Sequence, residues 1–245
     1  MRAFGLDGCK RGWFYVCLEG DAVECAIVAS VADVVERATT SDAICIDIPI
    51  GLHDSGPAPR GCDVAARQVL GRGRASSVFN APLRPALYAQ DYPAANALNR
   101  ELSGKGLSKQ SYNIGSKIRE VDELMLSSPK ARTLIREVHP EVCFWALNDK
   151  QAVLASKKTD EGFETRIRLL EPHLNRARCY VEDSLQAYPR SAVARDDIVD
   201  AMVVAIVAKN NNINTLPPKP TVDPKGLPME IAYFTPEPAL SVHAG

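Results

Sequence analysis

Four aspartates stand at positions where burial would penalise a carboxylate. Asp7 ends a short apolar strand, and Asp47 lies within the apolar run at 43–48. Asp197 and Asp200 are three residues apart, so they share one face at the start of a strongly apolar helix. An isolated buried carboxylate is so costly that it must be paired, hydrogen-bonded or bound to a metal. Together the four predict a site for Mg²⁺ or Mn²⁺, which prefer oxygen ligands.

This acidic pattern points to phosphodiester hydrolysis. Two divalent ions held about 4 Å apart are the usual device for that reaction, one activating water and the other stabilising the leaving oxygen. Each aspartate also has a structural explanation. Asp7 precedes a glycine and suits a turn, Asp197 suits a helix cap, and Asp47 suits a hydrogen bond to a neighbouring loop. The joint pattern is more specific than any of its members.

The predicted elements bring the first two aspartates together. Residues 3–6 predict a strand, residues 12–29 a β-hairpin, and residues 30–38 a capped helix. The nearly continuous apolar run at 43–48 is typical of a central strand buried on both faces. A helical crossover makes this strand parallel to the first one. Both aspartates should therefore lie near the same end of neighbouring parallel strands.

The remainder of the chain is predicted to form an insertion and a second set of elements. Residues 52–130 are rich in Gly, Pro and Arg, and we interpret them as an insertion within one domain spanning 1–234. Two helices are expected inside it, near 91–102 and 111–126. The later predictions are a strand at 133–138, helices near 141–148 and 196–209, a linker at 210–220, a closing edge strand at 227–234 and a flexible tail at 235–245.

The composition is that of an ordinary globular protein. The chain has 245 residues, of which 46% are hydrophobic and 24% charged, and its formal net charge is −1. Residues 1–51 hold four Lys/Arg and eight Asp/Glu, whereas residues 52–130 hold eleven and seven. An acidic edge beside a basic segment suits a metal site flanked by an anion-binding surface, although chance scatter of surface charge explains the asymmetry equally well.

The cysteines and the apolar runs bear on location. Seven cysteines are an odd number and contain no CxxC pair, so we expect reduced, mostly buried thiols and no structural zinc site. The N-terminus is not that of a signal peptide. No apolar run approaches the roughly 18 residues of a membrane span. These features predict a cytoplasmic protein without a membrane partner, and they leave its oligomeric state open.

Further residues with suitable chemistry surround the predicted site. Glu137 and Glu141 flank His139 at the end of the strand at 133–138. Any of the three suits an extra ligand or a proton shuttle, and His139 suits a general acid. The alternative is an ordinary strand-to-helix junction in which Glu141 stabilises the helix start. Phe79 suits stacking on a base, although aromatic residues are more often core. Cations suited to an anion-binding rim are Lys10, Arg60, Arg67, Arg84, Lys117 and Lys158. Arg67 follows Asp63 by four residues and also suits a helical ion pair.

Several sequence motifs resemble one family closely. The order of strands, helix and acids resembles the RNase H-like superfamily and, in the DIVDA motif at 197–201, its RuvC-type resolvase branch. Nearly the whole chain is similar to family 429 of the domains of unknown function, described as predicted RNase H-like nucleases. The matching motifs are GLDGCKRGW (5–13), IDIPIGL (46–52), RGCDVAAR (60–67), SSVFNAPLR (76–84), REVHPEVCF (136–144) and DDIVDAM (196–202).

The resemblance implies a fold and a ligand set. The fold would be α/β, a mixed five-stranded RNase H-like sheet flanked by helices, with a large helical and loop insertion after the fourth strand. Asp7, Asp47, Asp197 and Asp200 would be the metal ligands. Resolvases of this type usually carry Glu on the fourth strand, and the shorter Asp47 would shift the metal or leave a water between, so the number of ions stays open.

The sequence thus predicts a metal-dependent nuclease or related phosphoesterase. Its substrate would be DNA, RNA or a small phosphorylated ligand, and its cofactor Mg²⁺ or Mn²⁺. Two alternatives remain. One is a non-catalytic binding or scaffold module of the same fold. The other is an ATP-binding phosphotransferase of the same superfamily, which would need two duplicated halves and a second Gly-rich phosphate loop that this sequence does not show.

Overall fold

A mixed five-stranded sheet forms the centre of the molecule. The structure is a computed structural model that describes residues 1–56 and 59–236. The strand order is β3-β2-β1-β4-β5, and the flanking helices make the fold α/β, as predicted and as an RNase H-like fold requires. The strands are β1 (Ala3–Cys9), β2 (Gly12–Glu19), β3 (Ala22–Val28), β4 (Ala43–Ile46) and β5 (Ile135–Glu137).

The pairing register confirms that the first two aspartates are neighbours. β1 runs antiparallel to β2 and parallel to β4, with Leu6 opposite Ile46. β1 extends past the predicted end, so Asp7 lies inside the strand and not at its end. Asp47 lies one residue beyond β4, not within it, and its backbone N–H donates to the Leu6 carbonyl at 3.0 Å. The shorter β4 therefore still holds Asp47 against β1.

Helices cover both faces of the sheet. Ser30 caps the first of them through a reciprocal capping box with Asp33, as its position predicts. Between β4 and β5 lie α2 to α7, which together make up the predicted insertion. The helices are α1 (Val31–Arg37), α2 (Gly61–Arg74), α3 (Arg84–Leu87), α4 (Tyr92–Ser103), α5 (Lys109–Asn113), α6 (Gly115–Ser127), α7 (Pro129–Leu134), α8 (Pro140–Leu147), α9 (Asp160–Leu170), α10 (Ala177–Ala187) and α11 (Arg195–Lys209).

Some predicted boundaries are wrong. The strand predicted at 133–138 is limited to β5, because Ser128 caps α7 and its proline suits a first helical turn. The helix predicted at 111–126 is divided between α5 and α6 at Ile114. Residues 61–74 form a helix that was not predicted, because their sequence is rich in Gly and Arg. This helix bends at Gly71, which has a φ of 63°.

The predicted linker at 210–220 is also wrong. Residues 213–222 form a strand, β6 (Ile213–Val222), which pairs antiparallel with β7 (Pro228–Phe234) in a separate two-stranded sheet. Its prolines suggested a loop, but an edge strand tolerates proline because its outer N–H groups need no partner. The predicted closing strand at 227–234 is therefore β7, which meets the main sheet through a bridge between Val138 and Ala232. Most of the predicted tail at 235–245 lies outside the described residues.

The apolar helix α11 packs directly across β1. Gly5 makes this possible, because a Cβ there would lie 2.1 Å from the Ala205 nitrogen and 2.4 Å from the Ala201 carbonyl oxygen. Helices α1, α6 and α7 cover the opposite face of the sheet. No helix among the described residues combines the length and apolar character needed to cross a membrane. The close contact with β1 sets where the aspartates of α11 lie.

Candidate metal centre

Aspartates from three elements lie near the C-terminal ends of β1 and β4, in the middle of the sheet. Asp7 belongs to β1, Asp47 follows β4, and Asp197 and Asp200 lie on the first turns of α11. We call these four the acidic cluster. Asp7 is 8% exposed and Asp200 only 2%, whereas Asp47 and Asp197 are partly exposed. The Asp200 Oδ1 is buried and has no hydrogen-bond partner among the described residues.

The carboxylates of the cluster repel one another. Burial raises the pKa of Asp7 well above its usual range, and the charges of Asp47 and Asp200 raise it further. Burial and the Asp200 charge raise the pKa of Asp47 to about 8. Burial also raises the pKa of Asp200 to about 6, although Lys157 acts against this. The protein surroundings therefore do not stabilise the fully ionised cluster, and its carboxylates tend to hold protons.

Lys157 supplies the nearest cation. Its Nζ lies 2.5 Å from the Asp200 Oδ2 and 3.5 Å from the Asp196 Oδ2, and its charge lowers the pKa of Asp7. The neighbouring Lys158, which was also predicted for the anion-binding rim, is exposed. Nothing in the local pattern separates two consecutive lysines in a polar stretch. Only the position of α11 shows which of them faces the cluster.

Asp197 has a structural partner as well as a place in the cluster. Its Oδ2 accepts a hydrogen bond of 2.9 Å from the Ala194 N–H, so it caps α11 as well as facing the cluster. Its charge raises the pKa of Asp7. Burial raises its own pKa, whereas the Ala194 hydrogen bond and the charges of Lys157 and Lys117 lower it. The cap that was weighed for this residue is therefore present, and its role as a metal ligand stays a prediction.

The donor set suits a hard divalent cation. Carboxylate oxygens are the ligands that Mg²⁺ and Mn²⁺ prefer, and the unpartnered Asp200 Oδ1 leaves one such oxygen available. Among the described residues, the tightest trio of metal-ligand atoms lies elsewhere: Cys62, Asp63 and Glu137 bring one atom each within 4.8 Å of the others. Arg60 already occupies that second group, so the acidic cluster is the better candidate.

Glu137 and Arg60 form a buried clamp. Arg60 donates to both Glu137 oxygens at 2.7 Å and also pairs with Asp63. The Ile50 N–H donates to Glu137 at 2.6 Å, so the clamp fixes the chain that follows Asp47. Burial raises the pKa of Glu137 to about 7, against the effect of Arg60. Arg60 and Glu137 therefore lie behind the acidic cluster and form a buried salt bridge with each other.

His139 has one ring nitrogen without a partner among the described residues. It lines a small cavity together with Asp47, and its Nε2 lies 3.3 Å from the Ser77 carbonyl oxygen. Its Nδ1 is buried without a partner among the described residues. Burial lowers the pKa of the imidazole. A neutral histidine with one nitrogen unengaged is therefore available next to Asp47.

Glu141, for which an extra ligand and a helix-start residue were the two predictions, is buried. Both of its oxygens accept hydrogen bonds from Arg166, at 2.8 and 2.9 Å, and Arg74 pairs with it as well. Glu141 is 5% exposed and Arg166 1%. The pair joins α8 to α9, the helix that follows Lys157. The sequence shows the two charges but not that they meet, because 25 residues separate them.

The remaining predicted basic residues lie in four different settings. Lys117 approaches the cluster, with its Nζ donating to the Gly12 carbonyl at 2.5 Å and lying 4.4 Å from the Trp13 ring centre. Arg67 lines a larger cavity in the insertion. Lys10 and Lys158 are exposed, and Arg84 is buried in ion pairs away from the cluster.

Comparison with known proteins identifies one match. A family model described as "Protein of unknown function (DUF429)" matches residues 5–222. That range includes all four aspartates of the acidic cluster, Lys157 and the whole insertion. No curated protein matches this chain, and no solved structure matches it.

Proposed function

This chain belongs to the family described as a protein of unknown function (DUF429), and we propose that it hydrolyses phosphodiester bonds with a divalent metal. The observation that carries the proposal is the convergence of Asp7, Asp47 and Asp200 from three elements, with one buried Asp200 oxygen unpartnered. Such a set is costly unless a cation completes it. Mg²⁺ or Mn²⁺ is the proposed cofactor, and a nucleic acid or nucleotide the proposed substrate.

Each carboxylate has a distinct role in the proposal. Asp7, Asp47 and the free oxygen of Asp200 hold the cation, while Asp197 adds charge and fixes the start of α11. A bound divalent cation would supply Lewis acidity toward the scissile phosphate and lower the pKa of water. Since α11 lies directly on β1, the ligands are held by rigid elements and not by loops.

Neighbouring groups handle the phosphate and the proton. Lys117 and Lys157 approach the cluster from opposite elements, α6 and the segment before α9, and attract a phosphate oxygen. His139 is neutral because burial lowers its pKa, so its unengaged Nδ1 accepts a proton from the attacking water. Glu137, held by Arg60, maintains the position of the chain after Asp47 and touches no reacting atom.

Metal-dependent cleavage tests the proposal directly. Purified protein is incubated with end-labelled single-stranded and duplex DNA and RNA, with Mn²⁺, Mg²⁺ or EDTA. We expect cleavage of at least one substrate with Mn²⁺ and none with EDTA. Asp7→Asn should reduce the rate by at least about 100-fold, because a ligand and its charge are lost together. Asp33→Asn is the control, because it changes the capping box of α1, on the opposite face of the sheet from α11. Equal rates for wild type and Asp7→Asn contradict the proposal.

One observation favours a second candidate, a non-catalytic binding module. The Lys157 Nζ lies 2.5 Å from the Asp200 Oδ2, so the cluster is partly neutralised by the protein itself. In that case Mn²⁺ at millimolar concentration would give no calorimetric heat and no rise in melting temperature. Binding of Mn²⁺ that Asp200→Asn abolishes would instead support the metal-dependent enzyme.

A further inference from the structure

The large cavity in the insertion lies beside the acidic cluster. Its volume of about 690 Å³ is within the range of small-molecule sites. Helix α2, the segment that follows it and the connection from α4 to α5 enclose it. The small cavity next to Asp47 and His139 is lined by Val78 and Phe79, which also line the large cavity. A ligand in the large cavity would therefore lie one residue layer from the acidic cluster.

The cavity wall is positively charged. None of the described residues that line it is acidic, whereas Arg67 and Lys105 both do so. Arg60 and Arg84, the other arginines in the predicted rim, are neutralised by buried carboxylates. No described carboxylate lies within 4.0 Å of the Arg67 guanidinium. The charge of Arg67 is therefore available to a ligand.

The Arg67 guanidinium is held in one orientation. Its Nε donates to the Val78 carbonyl at 3.0 Å, and its Nη2 donates to the Asn80 Oδ1 at 2.6 Å. Both partners belong to the segment that forms the cavity wall, so the side chain is fixed before a ligand arrives. A guanidinium held in this way presents its remaining N–H donors at little entropic cost, and its geometry matches a phosphate. The fixed arginine therefore favours a phosphate-bearing anion.

The rest of the wall suits a heteroaromatic base. The half-buried ring of Phe79 lies between the two cavities, and aromatic rings stack on any base. The exposed side chains of Asn80 and Gln110 offer amide donors and acceptors. The wall therefore combines a phosphate donor, an aromatic ring and amides within one volume.

We infer that this cavity binds one nucleoside monophosphate unit, with its phosphate on Arg67 and its base along Phe79. The inference deepens the proposed function and rests on it for the role of the cavity, which is to hold the unit next to the bond that is cleaved. The unit is either a free nucleotide or the end of a single strand. Both share the same chemistry, and different probes separate them.

Binding without metal tests this inference separately from catalysis. The full chain is titrated with adenosine 5′-monophosphate and with the dinucleotide pTpT by calorimetry in EDTA. We expect both to bind, and Arg67→Gln to weaken binding by about tenfold or more, since a charge-assisted pair is lost. Lys105→Gln, at an exposed side chain of the same wall, should weaken binding less. Arg72→Gln, at an exposed arginine of α2 outside the wall, should leave it unchanged.

A second variant keeps the test valid if Arg67→Gln disturbs the segment that Arg67 holds. Phe79→Leu should weaken binding of the nucleotide and leave binding of inorganic phosphate unchanged, because only the base contact is lost. Tighter binding of pTpT than of adenosine monophosphate supports a strand end, and the reverse supports a free nucleotide. The inference is overturned if neither probe binds, or if Arg67→Gln and Arg72→Gln bind equally. Absence of nuclease activity alone would overturn only the proposed function.

Discussion

At the scale of single residues, the buried carboxylates of the acidic cluster lower the stability of the folded protein, and they suit the binding of a cation. Asp47 has a pKa of about 8 in the folded protein, compared with about 4 for an unfolded chain. The folded state therefore holds a proton there that the unfolded state has already lost. By linkage, this carboxylate costs nothing below about pH 4, and its cost grows as the pH rises to about 8. A bound divalent cation would remove that cost.

This linkage predicts how Asp47→Asn behaves with pH. In EDTA, the melting temperature of the variant relative to wild type should rise between pH 5 and pH 8, because only the wild-type chain must take up a proton at this position when it folds. Mn²⁺ should raise the melting temperature of wild type at pH 8 and have less effect on the variant. Differential scanning fluorimetry across that range measures both. A difference that stays constant with pH would contradict the assignment.

Lys157 gives a second prediction at this scale. Its ammonium binds the Asp200 Oδ2, so its positive charge repels a cation held by the other oxygen of the same carboxylate. Lys157→Met should therefore bind Mn²⁺ more tightly than wild type while melting at a lower temperature without metal, because Asp200 then lacks its buried partner. Calorimetry and a metal-free melt measure the two effects. Lys158→Met is the matched control at the exposed neighbour and should change neither. Unchanged affinity in Lys157→Met would mean that the charge of Lys157 does not weaken metal binding.

At the scale of elements, the contact between β1 and α11 fixes the distance between Asp7 and Asp200. Gly5→Ala would place a Cβ 2.1 Å from the Ala205 backbone nitrogen, and backbone cannot move aside as a flexible side chain can. We expect a loss of about 3 kcal/mol or more in the free energy of unfolding. Gly61→Ala is the control, because its added Cβ meets nothing within 4 Å. Urea unfolding compares the two, and equal stabilities would show that α11 does not lie as close to β1 as described.

The same elements explain what the sequence could predict. The apolar run before Asp47 and the apolar helix carrying Asp200 depend on local periodicity, and the parallel pairing follows from a rule about crossovers. These suffice to bring Asp7 and Asp47 together, whereas the place of Asp200 beside them was implied by the family resemblance and depends on the packing of α11 across β1. The local pattern was misleading before β5. Residues with high β-propensity suggested a strand from 133, but Ser128 and the proline after it start a helix that continues to Leu134.

Other features depend on contacts between distant parts of the chain. β6 exists because β7 pairs with it, and its prolines alone argue against a strand. Glu141 and Arg166 are ordinary charges until α8 and α9 pack together. The choice of Lys157 over Lys158 is likewise made by α11. Such partners are visible only in three dimensions, so the sequence predicted the acids of the cluster better than the cations that surround it.

At the scale of the whole molecule, one buried arginine ties the insertion to the rest of the chain. Arg84 on α3 pairs with Asp122 on α6 and with Asp223, which lies between β6 and β7. Asp223 also accepts the Leu52 N–H at 2.9 Å, at the start of the insertion. Three segments distant in sequence therefore meet at one guanidinium. The insertion supplies Lys117 to the acidic cluster and Arg67 to the large cavity, so this junction sets the position of both.

The junction predicts a coupled loss of stability and binding. Arg84→Leu leaves two carboxylates buried without a cation, which should cost about 3–5 kcal/mol in the free energy of unfolding. Arg119→Leu, which removes an exposed pair with Glu123 elsewhere in the insertion, should cost less than about 1 kcal/mol. Urea unfolding measures both variants. Because Arg84 touches neither cavity ligand nor metal ligand, weaker nucleotide binding in Arg84→Leu, measured where the variant is still folded, would show that the junction positions the insertion. Unchanged nucleotide binding together with lower stability would instead show that Arg84 stabilises the fold without positioning the insertion.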